Sequence, residues 1–165
     1  MSRALRLAVV LLAGSSWARA ESVVILVRHG EKVDESRDAA LSTAGRARAL
    51  ALSAMLKDAG IEAVYSTDTI RTRETARPTA DRISKPVEIY DGDELPVFAK
   101  ALRERGGRVL IVGHSDTTPE LVQHLGGDPG PPIASHEYDR MYVLTLSADG
   151  KASTLCLRFR SGVEK

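Results

Sequence analysis

Val23-Val24-Ile25-Leu26-Val27-Arg28-His29-Gly30-Glu31 joins an unbroken apolar run to a polar, titratable tetrad. The apolar run, rich in β-branched residues, reads as a buried strand. In open α/β sheets the binding crevice lies at the carboxyl ends of such strands, which is where this tetrad falls. Two places downstream repeat the pattern. Arg71 follows a short strand-like segment, Ile61 to Tyr65, and Gly113-His114-Ser115 follows directly on Arg108 to Val112, another β-branched run.

Ahead of this stretch, Arg3 and Arg6 precede an apolar segment, Leu7 to Ala13, that ends in the small-residue pattern Ala18-Arg19-Ala20. That order predicts a secretory signal peptide over residues 1–20, cleaved after Ala20, and hence a periplasmic or secreted protein. The apolar run falls well short of the roughly 20 residues needed to cross a bilayer, so no stable membrane span is expected. Removing Arg3, Arg6 and Arg19 leaves 20 basic against 22 acidic residues, a net charge of −2, which gives no reason to expect nucleic acid as a partner. Residues 21–165 are enough for a single domain and too few for two comfortable ones. Cys156 is the only cysteine and cannot pair within the chain. Its alternation with Leu155 and Leu157 predicts a small core or half-buried residue rather than a nucleophile.

Strand and helix signals alternate along the rest. Ser42 is placed to cap a helix whose apolar face draws on Leu50, Leu52, Met55, Leu56 and Ala59, and Gly60 stops it. A second helix begins near Ile70 and carries Arg71, Arg73 and Arg77, with Pro78 expected to kink or break it. Pro86 to Tyr90 reads as a strand, Pro96 to Arg105 as a helix, and the segment from Pro119 to Leu125 as a short helix. Gly126 to Pro132 cannot be regular structure. Met141 to Leu146 and Ser153 to Phe159 alternate across the turn signal Ala148-Asp149-Gly150 and predict a hairpin. The expected fold is therefore α/β, a three-layer sandwich with a mostly parallel central sheet, helices on both faces and a C-terminal hairpin.

A histidine at a strand end can accept a phosphoryl group covalently, because neutral imidazole is nucleophilic at physiological pH. The spread negative charge of a phosphoryl group then calls for guanidinium forks and fixed donors around it. Arg28, Arg71 and His114 are the candidate donors to a small phosphorylated substrate. His124 and His136 match no motif and read as ordinary surface or structural residues. No two histidines share ligand spacing on one element, so no metal site is expected.

Three ordered blocks carry a family resemblance: Arg28-His29-Gly30-Glu31, Tyr65-Ser66 with Arg71-Thr72-Arg73-Glu74-Thr75-Ala76, and Val112-Gly113-His114-Ser115. Together with Leu41-Ser42-Thr43-Ala44-Gly45 they resemble the histidine phosphatase superfamily, in its phosphoglycerate mutase-like branch and among its small phosphohistidine-phosphatase-like members. The resemblance implies that His29 is the nucleophile, that Arg28, Arg71 and His114 surround the phosphoryl oxygens, and that no cofactor is needed. Gly30 is expected to let the backbone approach the ligand closely.

The chain departs from the family at Glu35, where mutase-like members have an asparagine, and at Asp116, where asparagine often follows the His-Ser pair. Glu35 is expected to point outward. For the general acid, the family's region corresponds to Asp91, with Asp93, Glu94 and Asp116 as rivals; a turn cap in Asp91-Gly92-Asp93 is an equal reading. The function expected is an exported phosphomonoester phosphatase. A phosphate-binding envelope protein without turnover is the alternative, and a mutase is ranked lower because the segment between Tyr90 and Pro96 is short.

Overall fold

A computed structural model of the protein describes residues 21–160. The leader expected over residues 1–20 lies outside the described residues. Six strands form one sheet: β1 (Ser22–Arg28), β2 (Ala63–Ser66), β3 (Val87–Ile89), β4 (Arg108–Gly113), β5 (Arg140–Leu146) and β6 (Ala152–Arg158). Their order across the sheet is β3-β2-β4-β1-β5-β6. β1 to β4 are mutually parallel, while β5 and β6 form the antiparallel C-terminal hairpin. The four helices are α1 (Thr43–Met55), α2 (Ile70–Arg82), α3 (Leu95–Arg105) and α4 (Thr117–His124).

The central strands read as continuous apolar runs because both of their faces are covered. In β1, Val24 and Leu26 enter the core shared with Leu95, Leu102, Leu121 and Val122 of α3 and α4. Ile25 and Val27 enter the opposite core, shared with Leu52 of α1 and Ala76 and Ala80 of α2. β4 divides the same way, with Val109 and Ile111 on one face and Leu110 and Val112 on the other. The expected three-layer sandwich is the observed one. Since β1 leads to α1 on one face and β4 to α4 on the other, the neighbouring carboxyl ends of β1 and β4 diverge, and a crevice opens between them.

Ser42 caps α1 by accepting from Gly45 N–H at 3.1 Å, as its position suggested. Three local expectations are corrected. Pro78 lies inside one continuous α2 and does not end it. Proline forfeits a single backbone bond there, while Thr75, Ala76, Thr79 and Ala80 are buried and Ser53 Oγ donates to the Pro78 carbonyl at 2.9 Å. Cys156 is exposed, as are Leu155 and Leu157, because β6 is the sheet edge and no helix covers it there. Leu50 and Met55 face solvent, so the buried side of α1 is narrower than expected. Among the described residues no helix is long and apolar enough to cross a membrane.

Candidate active site

His29 follows β1 directly and is buried, its N–H tied to the Gly113 carbonyl at 2.9 Å across the β1–β4 junction. The ring's Nδ1 lies 2.7 Å from the Gly30 carbonyl oxygen. A carbonyl only accepts, so Nδ1 carries the proton and Nε2 presents the lone pair. Burial, reinforced by the charges of Arg28 and Arg71, pushes the His29 pKa down to about 3, against the Gly30 hydrogen bond that raises it. The imidazole is thus neutral and nucleophilic across the physiological range.

Arg28, the last residue of β1, is buried to 7% exposure. Its Nη1 donates into a cup of three carbonyls, Ala134 at 2.9 Å, Ser135 at 3.0 Å and Glu137 at 2.9 Å. Tyr138 covers the guanidinium, with Cζ 4.2 Å from the ring centroid, and the same ring lies 6.0 Å from that of His29. Arg71, one residue into α2, donates from Nη1 to the Arg37 carbonyl at 3.0 Å and directs Nη2 toward His114 Nδ1 at 3.4 Å. The Nε groups of Arg28 and Arg71 are both buried without a hydrogen-bond partner. Leaving such donors unpaired costs about 1–3 kcal/mol or more each, a cost that a bound oxyanion would relieve.

His114 follows β4, with its ring 5.4 Å from that of His29 in an edge-to-face arrangement. Guanidinium cannot accept, so Nδ1 faces Arg71 as the acceptor and Nε2–H donates to Thr67 Oγ1 at 2.9 Å. Thr67 donates onward to Thr72 Oγ1 at 3.1 Å. Burial, then the Arg71 charge, lowers the His114 pKa, with Asp116 opposing. The two arginines and two histidines expected from the sequence therefore converge on one crevice.

The remaining assignments divide. Gly30 is packed against α1: its N–H donates to Thr75 Oγ1 at 3.0 Å, and a Cβ there would meet the Gly45 carbonyl oxygen at 2.9 Å. It is glycine because α1 begins against it. Asp91 is exposed, and its Oδ1 accepts from Asp93 N–H at 2.9 Å, which is the turn-cap arrangement. Asp93 and Glu94 are exposed as well. Asp116 caps α4, accepting from Thr117 N–H at 2.7 Å, and its charge reaches both Arg28 and His114. Among the described residues no carboxylate hydrogen-bonds either histidine. Glu35 points outward, paired with Lys32 at 2.7 Å. Glu31 is held by Arg48 through both oxygens, at 2.6 to 3.1 Å. Among the described residues no group of three or more His, Cys, Asp or Glu is placed to hold a metal ion.

Sequence reasoning missed Thr67, Tyr138 and the carbonyls of residues 134–137. Thr67 lies in the Ser66-Thr67-Asp68-Thr69 stretch, whose hydroxyls read only as helix caps. The loop carbonyls have no side-chain signature at all.

An α/β/α sheet thus brings a neutral histidine at one strand end, a second histidine at the next and two arginines with buried, unpartnered Nε groups to a single crevice. Residues 24–92, which carry His29, Arg28 and Arg71, match the family model of the histidine phosphatase superfamily (branch 1). That match spans less than half of the chain, and the described chain as a whole has the fold of the solved histidine phosphatases. The protein histidine phosphatase SixA, solved with tungstate, is similar at TM-score 0.66 and 22% identity, over 82% of this chain and 96% of that one. The putative phosphohistidine phosphatase SixA of Nakamurella multipartitia gives 0.64 and 23%, covering 86% and 98%. Phosphoserine phosphatase from Entamoeba histolytica, with 3-phosphoglyceric acid, gives 0.67 and 13%, covering 86% and 99%. At these identities the likeness is one of fold. A sequence search of curated proteins finds no match.

Proposed function

We propose that the protein is an exported phosphatase that transfers a phosphoryl group from a phosphomonoester to Nε2 of His29 and then to water. The observation that carries this reading is the neutral His29, its Nε2 lone pair free, beside two buried arginine Nε–H groups with no partner. In the first step the Nε2–P bond forms as the P–O bond to the leaving group breaks, and the alkoxide takes up a proton from solvent water. In the second, water attacks phosphorus, the N–P bond breaks and inorganic phosphate leaves with neutral His29 restored. Arg28 and Arg71 offset the charge on the phosphoryl oxygens throughout.

Asp116 is the carboxylate best supported for proton handling. It stands at the start of α4 beside the crevice, its charge reaching Arg28 and His114, where it could orient the water of the second step. Asp91, committed to its turn and exposed, has less support. Export rests on the leader pattern of residues 1–20 and is tested by the mass and location of the mature chain.

Because no carboxylate among the described residues bonds His29 or His114, phosphate binding without turnover is a second reading. Hydrolysis of an aryl phosphate, run beside His29→Ala and repeated with chelator, separates the two. Turnover that requires His29 and survives chelation, with an acid-labile phosphoenzyme, supports the phosphatase. Phosphate binding with no hydrolysis leaves only the binder.

A further inference from the structure

We propose that Glu137 and Arg140, outside the phosphate pocket, are positioning residues that hold the loop before β5 so that its carbonyls and Tyr138 fix the guanidinium of Arg28. The inference rests on the reading of Arg28 as a phosphate ligand. Arg140, the first residue of β5, is buried at 4% exposure and grips both oxygens of Glu137, Nε to Oε1 at 2.5 Å and Nη2 to Oε2 at 2.9 Å. Its Nη1 donates to the Pro131 carbonyl at 2.5 Å and to Tyr142 Oη at 3.0 Å, and Tyr142 in turn donates to the Pro129 carbonyl at 2.8 Å. Glu137 Oε2 also accepts from Ala134 N–H at 3.2 Å. The glycine- and proline-rich loop, which has no regular structure, is thereby stitched to the first residues of β5 at both its beginning and its end.

What this stitching presents to the site is the three-carbonyl cup on Arg28 Nη1, formed by Ala134, Ser135 and Glu137, and the Tyr138 ring over the guanidinium. The stem of Arg28 is flexible, so the plane of its guanidinium is fixed by what its directional donors and its face meet, here the cup and the Tyr138 ring. With Nη1 committed to the cup, the Nε and Nη2 edge of the guanidinium is left for an oxyanion, its Nε buried without a partner. Burial would raise the Glu137 pKa, but the Arg140 fork outweighs it and holds the carboxyl below the ordinary range, so the pair stays ionised at working pH. A forked, buried pair of this kind is costly to break from one side.

The test compares wild type, Glu137→Ala and Glu137→Gln by three readouts: melting temperature, affinity for inorganic phosphate, and the ¹⁵N–¹H signals of the Arg28 guanidinium, assigned by their loss in Arg28→Lys. Glu137→Gln keeps one acceptor oxygen and serves if the alanine variant does not fold. In wild type the cup predicts slow rotation and resolved Nη signals. In the folded variant these should merge, phosphate affinity should fall about 10- to 100-fold, and KM should rise with a smaller change in kcat. A folded variant with resolved Arg28 signals and unchanged phosphate affinity overturns the proposal. If the Arg28 signals merge as expected but wild type neither binds phosphate nor hydrolyses an ester, the positioning stands and the phosphatase reading fails.

Discussion

Nδ1 of His29 lies 2.7 Å from the carbonyl oxygen of its own neighbour, Gly30. This short contact decides which nitrogen can attack. With the proton held on Nδ1 by an acceptor that cannot give one, the lone pair is confined to Nε2, and burial prevents a second proton from masking it. The orientation of the nucleophile is thus a backbone property of the β1 exit, set before any substrate arrives.

Burying this ring makes stability depend on pH. The unfolded chain binds a proton near 6.5, whereas folded His29 resists one until about 3. Between those values the unfolded state holds more protons, so the contribution is complete above pH 6.5 and is lost as pH falls toward 3. His114, also lowered, adds in the same direction. Melting temperature measured from pH 7 to pH 4 should fall more steeply for wild type than for His29→Gln; parallel curves would show that His29 is not desolvated in this way.

Thr67 receives the Nε2–H of His114, and its loss should orphan that donor. Thr67→Val keeps the volume and is expected to cost about 1–3 kcal/mol of stability. A drop of about tenfold or more in kcat/KM should accompany it as the second histidine loses its tautomer, the equivalent of about 1.4 kcal/mol. Chemical denaturation and steady-state kinetics on the same preparation check both. Unchanged kinetics would remove Thr67 from the site.

Gly45 has no room for a side chain: a Cβ would stand 2.3 Å from the Glu31 carbonyl oxygen and 2.9 Å from its nitrogen, both backbone atoms. Gly45→Ala must push α1 away from the nucleophile's turn, at a cost of about 1–3 kcal/mol or more. Urea midpoints for Gly45→Ala against wild type test this, and a variant as stable as wild type would contradict the close approach.

Arg48 anchors Glu31 through both carboxylate oxygens and also donates to the Phe159 carbonyl at 3.2 Å. Arg48→Met retains the stem but leaves a partly buried carboxylate unpaired, and a loss of about 2–4 kcal/mol is expected, toward the lower end because Glu31 is partly exposed. Double replacement with Glu31→Gln should recover part of that loss. Additive losses would show that the two side chains are not coupled.

Much of this was readable in the chain. The runs leading into Arg28 and Gly113 are apolar because both sheet faces are covered, and that pattern placed His29 and His114 at strand ends, though it did not show that the two strands are neighbours. Arg71 was legible only through the family resemblance of its motif, since the same helix also carries Arg73 and Arg77. The Arg28 cup was not, because Ala134, Ser135 and Glu137 contribute carbonyl oxygens, which every residue possesses. Cys156 was misjudged because alternation reports which face a residue takes, and cannot report whether a helix covers that face at the sheet edge. Pro78 was misjudged because a local rule met a helix anchored along its buried side.

Thr75 joins two parts of the site: its hydroxyl oxygen accepts from Gly30 N–H at 3.0 Å and donates to the Arg71 carbonyl at 2.8 Å. The turn that carries His29 and the first turn of α2, which carries Arg71, therefore share one atom. Such a centre cannot loosen piecemeal, with the nucleophile drifting while the arginine stays put. Its heat inactivation should coincide with melting of the sheet itself, and any substrate preference must be written in the outer loops, where side chains can change without disturbing that common oxygen.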